Sequence, residues 1–122
     1  MNTDPLTSGE LYRAIGGDGA IERVVDALYD RLTNDPIVRH QFDPDRLESL
    51  KAGQRAWFAA ALTGAPLPVD LRTVHAGLDI TDAQVTAVLA HLDEVLTDIG
   101  VTSRSHGAVM GVVARIWHAR NF

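Results

Sequence analysis

Apolar residues return along this chain at steps of three and four, the spacing of one helix face. Leu11, Tyr12 and Ile15 predict a short helix that ends at Gly16-Gly17, where two glycines let the chain turn sharply. After Asp18-Gly19, the set Ile21, Val24, Val25, Leu28, Tyr29 and Leu32 predicts a long helix, stopped by Asn34-Asp35-Pro36. Asp43-Pro44 pairs an N-cap residue with proline at the first helical position, which predicts that the next helix opens there. Its inner stripe is Leu47, Leu50, Gln54, Trp57, Phe58, Ala61 and Leu62, and Thr63-Gly64-Ala65-Pro66 ends it. Ala65 to Gly77 holds two prolines and a glycine, and reads as irregular with at most a short helix around Leu71 to His75. Thr81-Asp82 caps a third long helix with Val85, Val88, Leu89, Leu92, Val95, Leu96 and Ile99 inside, and Gly100 closes it. Thr102 caps the last, with Val109, Met110, Val113, Ile116 and Trp117 inward. No stretch alternates with period two, so the class is all-α, four substantial helices plus one or two short ones.

Composition narrows the function. The chain has 122 residues, no cysteine and a formal net charge of −5. One domain of this size buries a core without covalent staples. Absence of cysteine excludes thiolate zinc, iron–sulfur clusters and a cysteine nucleophile, and suits a reducing compartment. The acidic balance argues against nucleic acid as a partner. No apolar run approaches the about 18 residues of a membrane span, and MNTDPLTSGE has acid where a signal peptide has a basic stretch. The expectation is a soluble, cytoplasmic protein with residues 1–10 as an extension and 11–122 as the domain.

Three polar residues interrupt apolar faces. Gln54 sits one turn after Leu50 and one before Phe58, and its amide needs partners if buried. Tyr29 shares a face with Val25, Leu28 and Leu32. His75 lies between Val74 and Ala76. Each alone is open to a bland reading: a satisfied amide, a core tyrosine with a wet hydroxyl, a surface histidine. His40, His91, His106 and His118 show no i,i+4 pairing, so a zinc site built from histidines has no support. A single histidine without companion ligands fits a metal whose other ligands come from a cofactor, and haem is that case.

At these residues the chain resembles the truncated haemoglobins, most closely the group I branch. LYRAIGGDGAIERVVDALYDRL, QFDPDRLESLKAGQRAWFAAAL and VHAGLDITDAQVTAVLAHLDEVLTDIGV carry the likeness, in order, from about Leu11 to Trp117. The resemblance implies a globin-like two-over-two helical sandwich. It implies haem b held by His75 as the proximal iron ligand. Tyr29 and Gln54 correspond to the distal pair that hydrogen-bonds a bound gas, and Leu50 to an apolar distal position. Phe42 corresponds to the ring on the haem face. Trp57 and Phe58 match the aromatics beside the pocket, with Phe58 at a position proposed to gate entry. Leu71 and Leu78 fall among the haem-lining positions; Lys51, Arg55 and Arg72 are placed to meet haem propionates or simply to be solvated. His118 falls near a position where some members bond haem covalently, and read alone it is an exposed histidine on a C-terminal turn. The likeness breaks at TGAPLPVD, where members often carry a Gly-Gly and a Tyr-x-Gly, and at Gly53, where a long basic side chain or histidine is common.

The implied function is reversible binding of oxygen and other diatomic gases, carbon monoxide and nitric oxide included, with dioxygenation of nitric oxide to nitrate as an associated activity. That activity needs an electron-donating reductase. The expected state is a monomer or weak homodimer. A small haem-based redox or gas sensor acting through a partner protein, and a haem-free helical interaction module, are the competing classes.

Overall fold

The computed structural model of the chain describes residues 8–68 and 80–120, without the side chains of residues 8 and 117–120. His75, Leu71, Arg72 and Leu78, the short helix expected around Leu71 to His75, and the side chains of Trp117 and His118 lie outside the described residues. Among the described residues five α-helices follow one another: α1 Ser8–Ile15, α2 Gly17–Leu32, α3 Leu47–Thr63, α4 Asp82–Ile99 and α5 Ser103–Arg120. Two 3₁₀ turns, Arg39–Gln41 and Pro44–Arg46, join α2 to α3.

The boundaries have local causes. Gly16 and Gly17 take φ of 116° and 68°, the left-handed region open to glycine, so α1 turns directly into α2. α2 therefore begins ahead of Asp18-Gly19, which lie inside its first turn. The start of α3 differs from the expectation at Asp43-Pro44. The Asp43 carboxylate accepts the Asp45 N–H at 3.0 Å, but the turn it opens is 3₁₀, and α-geometry begins at Leu47. Proline has no N–H and the first-turn donors have no intrahelical partners, so this tighter turn satisfies the caps locally. α4 opens on a complete capping box. Thr81 Oγ1 accepts from Gln84 N at 3.2 Å, and Gln84 Oε1 accepts from Thr81 N at 3.0 Å. Thr102 caps α5 through Ser105 N at 3.2 Å.

α2 packs on both α4 and α3, α4 packs on α5, and α1 packs on α3. This is the two-over-two arrangement. The predicted α2 face is buried in full: Ile21, Val24, Val25, Leu28, Tyr29 and Leu32. Val25, Leu62, Leu92, Val95, Leu96 and Val109 form the centre, at 2% exposure or less. At about 1.5–3 kcal/mol per buried aliphatic side chain, this centre supplies much of the drive for folding. Ion pairs trim the rim. Arg31 reaches from α2 to Glu94 at 3.4 Å and to Asp98 on α4, and Lys51 on α3 meets Asp26 on α2 at 3.4 Å.

Candidate functional site

α2, α3 and the chain between them carry Tyr29, Phe42, Leu50, Gln54, Trp57 and Phe58 of the predicted site residues. Tyr29 comes from the last turns of α2, 5% exposed. Phe42, on the segment just before α3, sets its ring edge-on to Tyr29, with centroids 5.5 Å apart and planes at 63°. On α3, Leu50, Gln54 and Phe58 recur every four residues on one face, and Trp57 stands edge-on to Phe58 at 5.3 Å. Trp57 and Phe58 are buried; Leu50 and Gln54 are half-buried.

Polar groups in this region lack protein partners. Burial alone pushes the Tyr29 phenol up to about 12, so it stays protonated and remains a donor. Among the described residues its hydroxyl and the Gln54 carboxamide have no hydrogen-bonding partner. The Trp57 Nε1–H is buried and equally without a partner. An unsatisfied buried donor costs about 1–3 kcal/mol, so a structure that keeps such donors has a use for them. Apolar walls with a few unpaired donors suit a flat apolar cofactor carrying a small polarisable ligand. The residues present fit a haem on this test.

Lys51 stands apart. Its ammonium is turned to Asp26 at 3.4 Å and Glu48 at 3.9 Å and is largely covered. The histidines whose side chains are described, His40, His91 and His106, are engaged too. His91 Nε2 meets Asp35 Oδ2 at 2.6 Å, His106 Nε2 meets Asp93 Oδ1 at 2.5 Å, and His40 Nε2 lies 3.3 Å from Gln84 Nε2. Among the described residues no three histidine or acidic side chains gather as metal ligands. Sequence reasoning passed over Gln84, though Thr81-x-x-Gln84 is the spacing of a capping box. It also passed over the unpaired indole of Trp57, for which the sequence holds no signal.

The comparisons with known proteins agree with this architecture. The family model for bacterial-like globins matches residues 10–121. A group 1 truncated hemoglobin of Mycolicibacterium paratuberculosis is 36% identical over 110 residues, covering 85% of this chain and 78% of that protein. One from Chlamydomonas moewusii is 35% identical over 108 residues, covering 85% of this chain but 63% of the algal protein, so the match spans less than two thirds of that relative. The solved 2/2 hemoglobin of Synechococcus sp. PCC 7002, in its cyanomet state with covalently attached heme, superposes with a TM-score of 0.81 at 23% identity, covering 88% of this chain and 93% of that one. The chain belongs to the group 1 truncated haemoglobin family and has its all-helical two-over-two fold. Membership implies haem-based gas binding. No described helix is long and apolar enough to cross a membrane.

Proposed function

We propose that this chain binds haem b through His75 and holds oxygen, carbon monoxide or nitric oxide between the haem and the Tyr29/Gln54 pair. The observation that supports the reading best is the Tyr29 phenol, buried, protonated and without a partner among the described residues. The haem iron supplies gas coordination and one-electron chemistry when bound. The chain supplies the rest. A neutral His75 offers one ring nitrogen to the metal and uses the other to fix its tautomer. Tyr29 O–H and Gln54 N–H donate to a ligand atom bearing partial negative charge. At about 1.5–3 kcal/mol each, such bonds slow ligand escape by about 10- to 150-fold apiece. Bound carbon monoxide is less polar and gains less. Leu50, Trp57 and Phe58 exclude water that would compete for the donors. Arg72 and Arg55 are the cations assigned to the propionates, with Lys51 held back by Asp26. Leu71, Leu78 and Phe42 are assigned to the haem faces.

The finer reading is nitric oxide dioxygenation: one nitric oxide, one oxygen and one electron give one nitrate. The slow oxygen release expected from two donors, and reactants too small and apolar to need charged recognition, favour it. A reductase supplies the electron, the protein acts as a monomer or weak homodimer, and a cysteine-free chain suits the cytoplasm. Haem-loaded Gln54→Leu tests the site: oxygen release rises about tenfold or more if Gln54 donates to the ligand. An unchanged rate removes Gln54 from the site.

A further inference from the structure

The stretch from Thr33 to Phe42 is thinly anchored by apolar contacts. Val38 is its one fully buried residue, and Ile37 is 50% exposed. Its backbone turns on itself: Val38 N and Arg39 N donate to Asp35 O, Gln41 N to Val38 O and Phe42 N to Arg39 O. Three polar attachments then end on a single helix. Asp35 Oδ2 accepts from His91 Nε2 at 2.6 Å. Ile37 O accepts from Gln84 Nε2 at 3.3 Å, and the same nitrogen lies 3.3 Å from His40 Nε2.

Gln84 and His91 are seven residues apart, two turns along one side of α4. Neither is loosely placed. Gln84 is 9% exposed, and its carboxamide oxygen already caps α4, so its nitrogen has little freedom to turn away. The side chains of His91 and Asp35 are 21% and 15% exposed. The contact continues along α4, since His91 Nδ1 faces Glu94 at 3.6 Å and Glu94 pairs with Arg31 of α2, which also meets Asp98. Phe42 closes the pegged stretch and leans on the Tyr29 ring. With no partner for its hydroxyl among the described residues, that ring is oriented by packing.

We propose that Gln84 and His91 are positioning residues for the ligand site: by pegging residues 35–40 to α4 they hold Phe42 against Tyr29 and so set the direction of the phenol O–H. The proposal rests on the reading of Tyr29 as the donor to a bound gas. α4 is also the helix that follows the His75 segment in sequence.

His91→Leu removes one peg. Gln84→Glu removes the other while keeping the oxygen that caps α4. His91→Gln restores a donor at the first, and Asp35→Asn approaches the same contact from the loop if His91→Leu folds poorly. Two measurements on the full chain decide the matter. Native-state amide exchange, followed without haem, should rise at least tenfold across residues 35–42 in His91→Leu and Gln84→Glu, with α5 unmoved. In the haem-loaded protein, oxygen release should rise about three- to tenfold. The C–O stretch of the carbon monoxide complex should shift toward that of Tyr29→Phe. His91→Gln should recover most of both effects. Unchanged exchange overturns the pegs. Faster exchange with an unmoved C–O stretch and release rate overturns the link to Tyr29. A chain that takes up no haem removes the underlying reading and the site role with it, while the exchange data still decide whether the pegs hold the loop.

Discussion

Tyr29→Phe deletes one oxygen atom and should move stability and ligand retention in opposite senses. The ring packs among buried residues of α2 and against Phe42, and phenylalanine keeps that packing. The residue is 5% exposed, and its hydroxyl has no partner among the described residues. Removing it from the haem-free protein therefore deletes a desolvated, unsatisfied group, and the folded state should be unchanged or gain up to about 1 kcal/mol. In the loaded protein the same change removes a hydrogen bond to a ligand atom with partial negative charge. At about 1.5–3 kcal/mol, and tenfold in rate per about 1.4 kcal/mol, oxygen release should accelerate by about 10- to 150-fold. Stopped-flow displacement of oxygen by carbon monoxide measures the rate, and the urea midpoint of the haem-free chain measures stability. An unchanged release rate would refute the reasoning. So would a stability loss near 2 kcal/mol, because the hydroxyl would then be a structural group with a partner.

Titration of the same phenol predicts an alkaline effect. Its pKa is raised from 10.0 to about 12, so the folded state holds the proton more tightly than the unfolded chain. The stability this reflects is present below pH 10 and is lost as pH climbs toward 12, roughly 2–3 kcal/mol in all; urea midpoints should show that loss in the native sequence and not in Tyr29→Phe. Asp35 predicts the opposite end. The hydrogen bond from His91, helped by that from Ile37 N–H, holds its carboxyl below the ordinary range. Its contribution is present above the unfolded pKa and lost as pH falls through the lower folded one, so acid titration should weaken the native protein more than Asp35→Asn. Thr81→Ala breaks the capping box of α4 and should cost about 1 kcal/mol by thermal or urea denaturation, with haem uptake retained.

The helices were legible because burial imposes a period on the chain. Every residue assigned to the α2 face is buried, and the glycines at 16, 17, 64 and 100 all take positive φ at helix ends. Tyr29 and Gln54 stood out for a related reason, since both are polar on faces that are otherwise apolar; the donor role proposed for them came from the family resemblance. The first turn after Asp43 was missed because proline permits α and 3₁₀ geometry alike, and the neighbouring donors decide between them. The pegs on α4 were not legible at all. His91 and Asp35 are 56 residues apart, Gln84 and His40 are 44 apart, and periodicity says nothing about which polar residues meet across helices.

Absorption spectra of the ferrous and carbon monoxide forms, for the native sequence beside His75→Ala, test the central claim most directly. The account predicts one haem per native chain, with a Soret band that shifts on adding the gas, and loss of that tight, histidine-ligated spectrum in His75→Ala. Native protein that takes up no haem would contradict it, as would a His75→Ala variant whose spectra match the native ones.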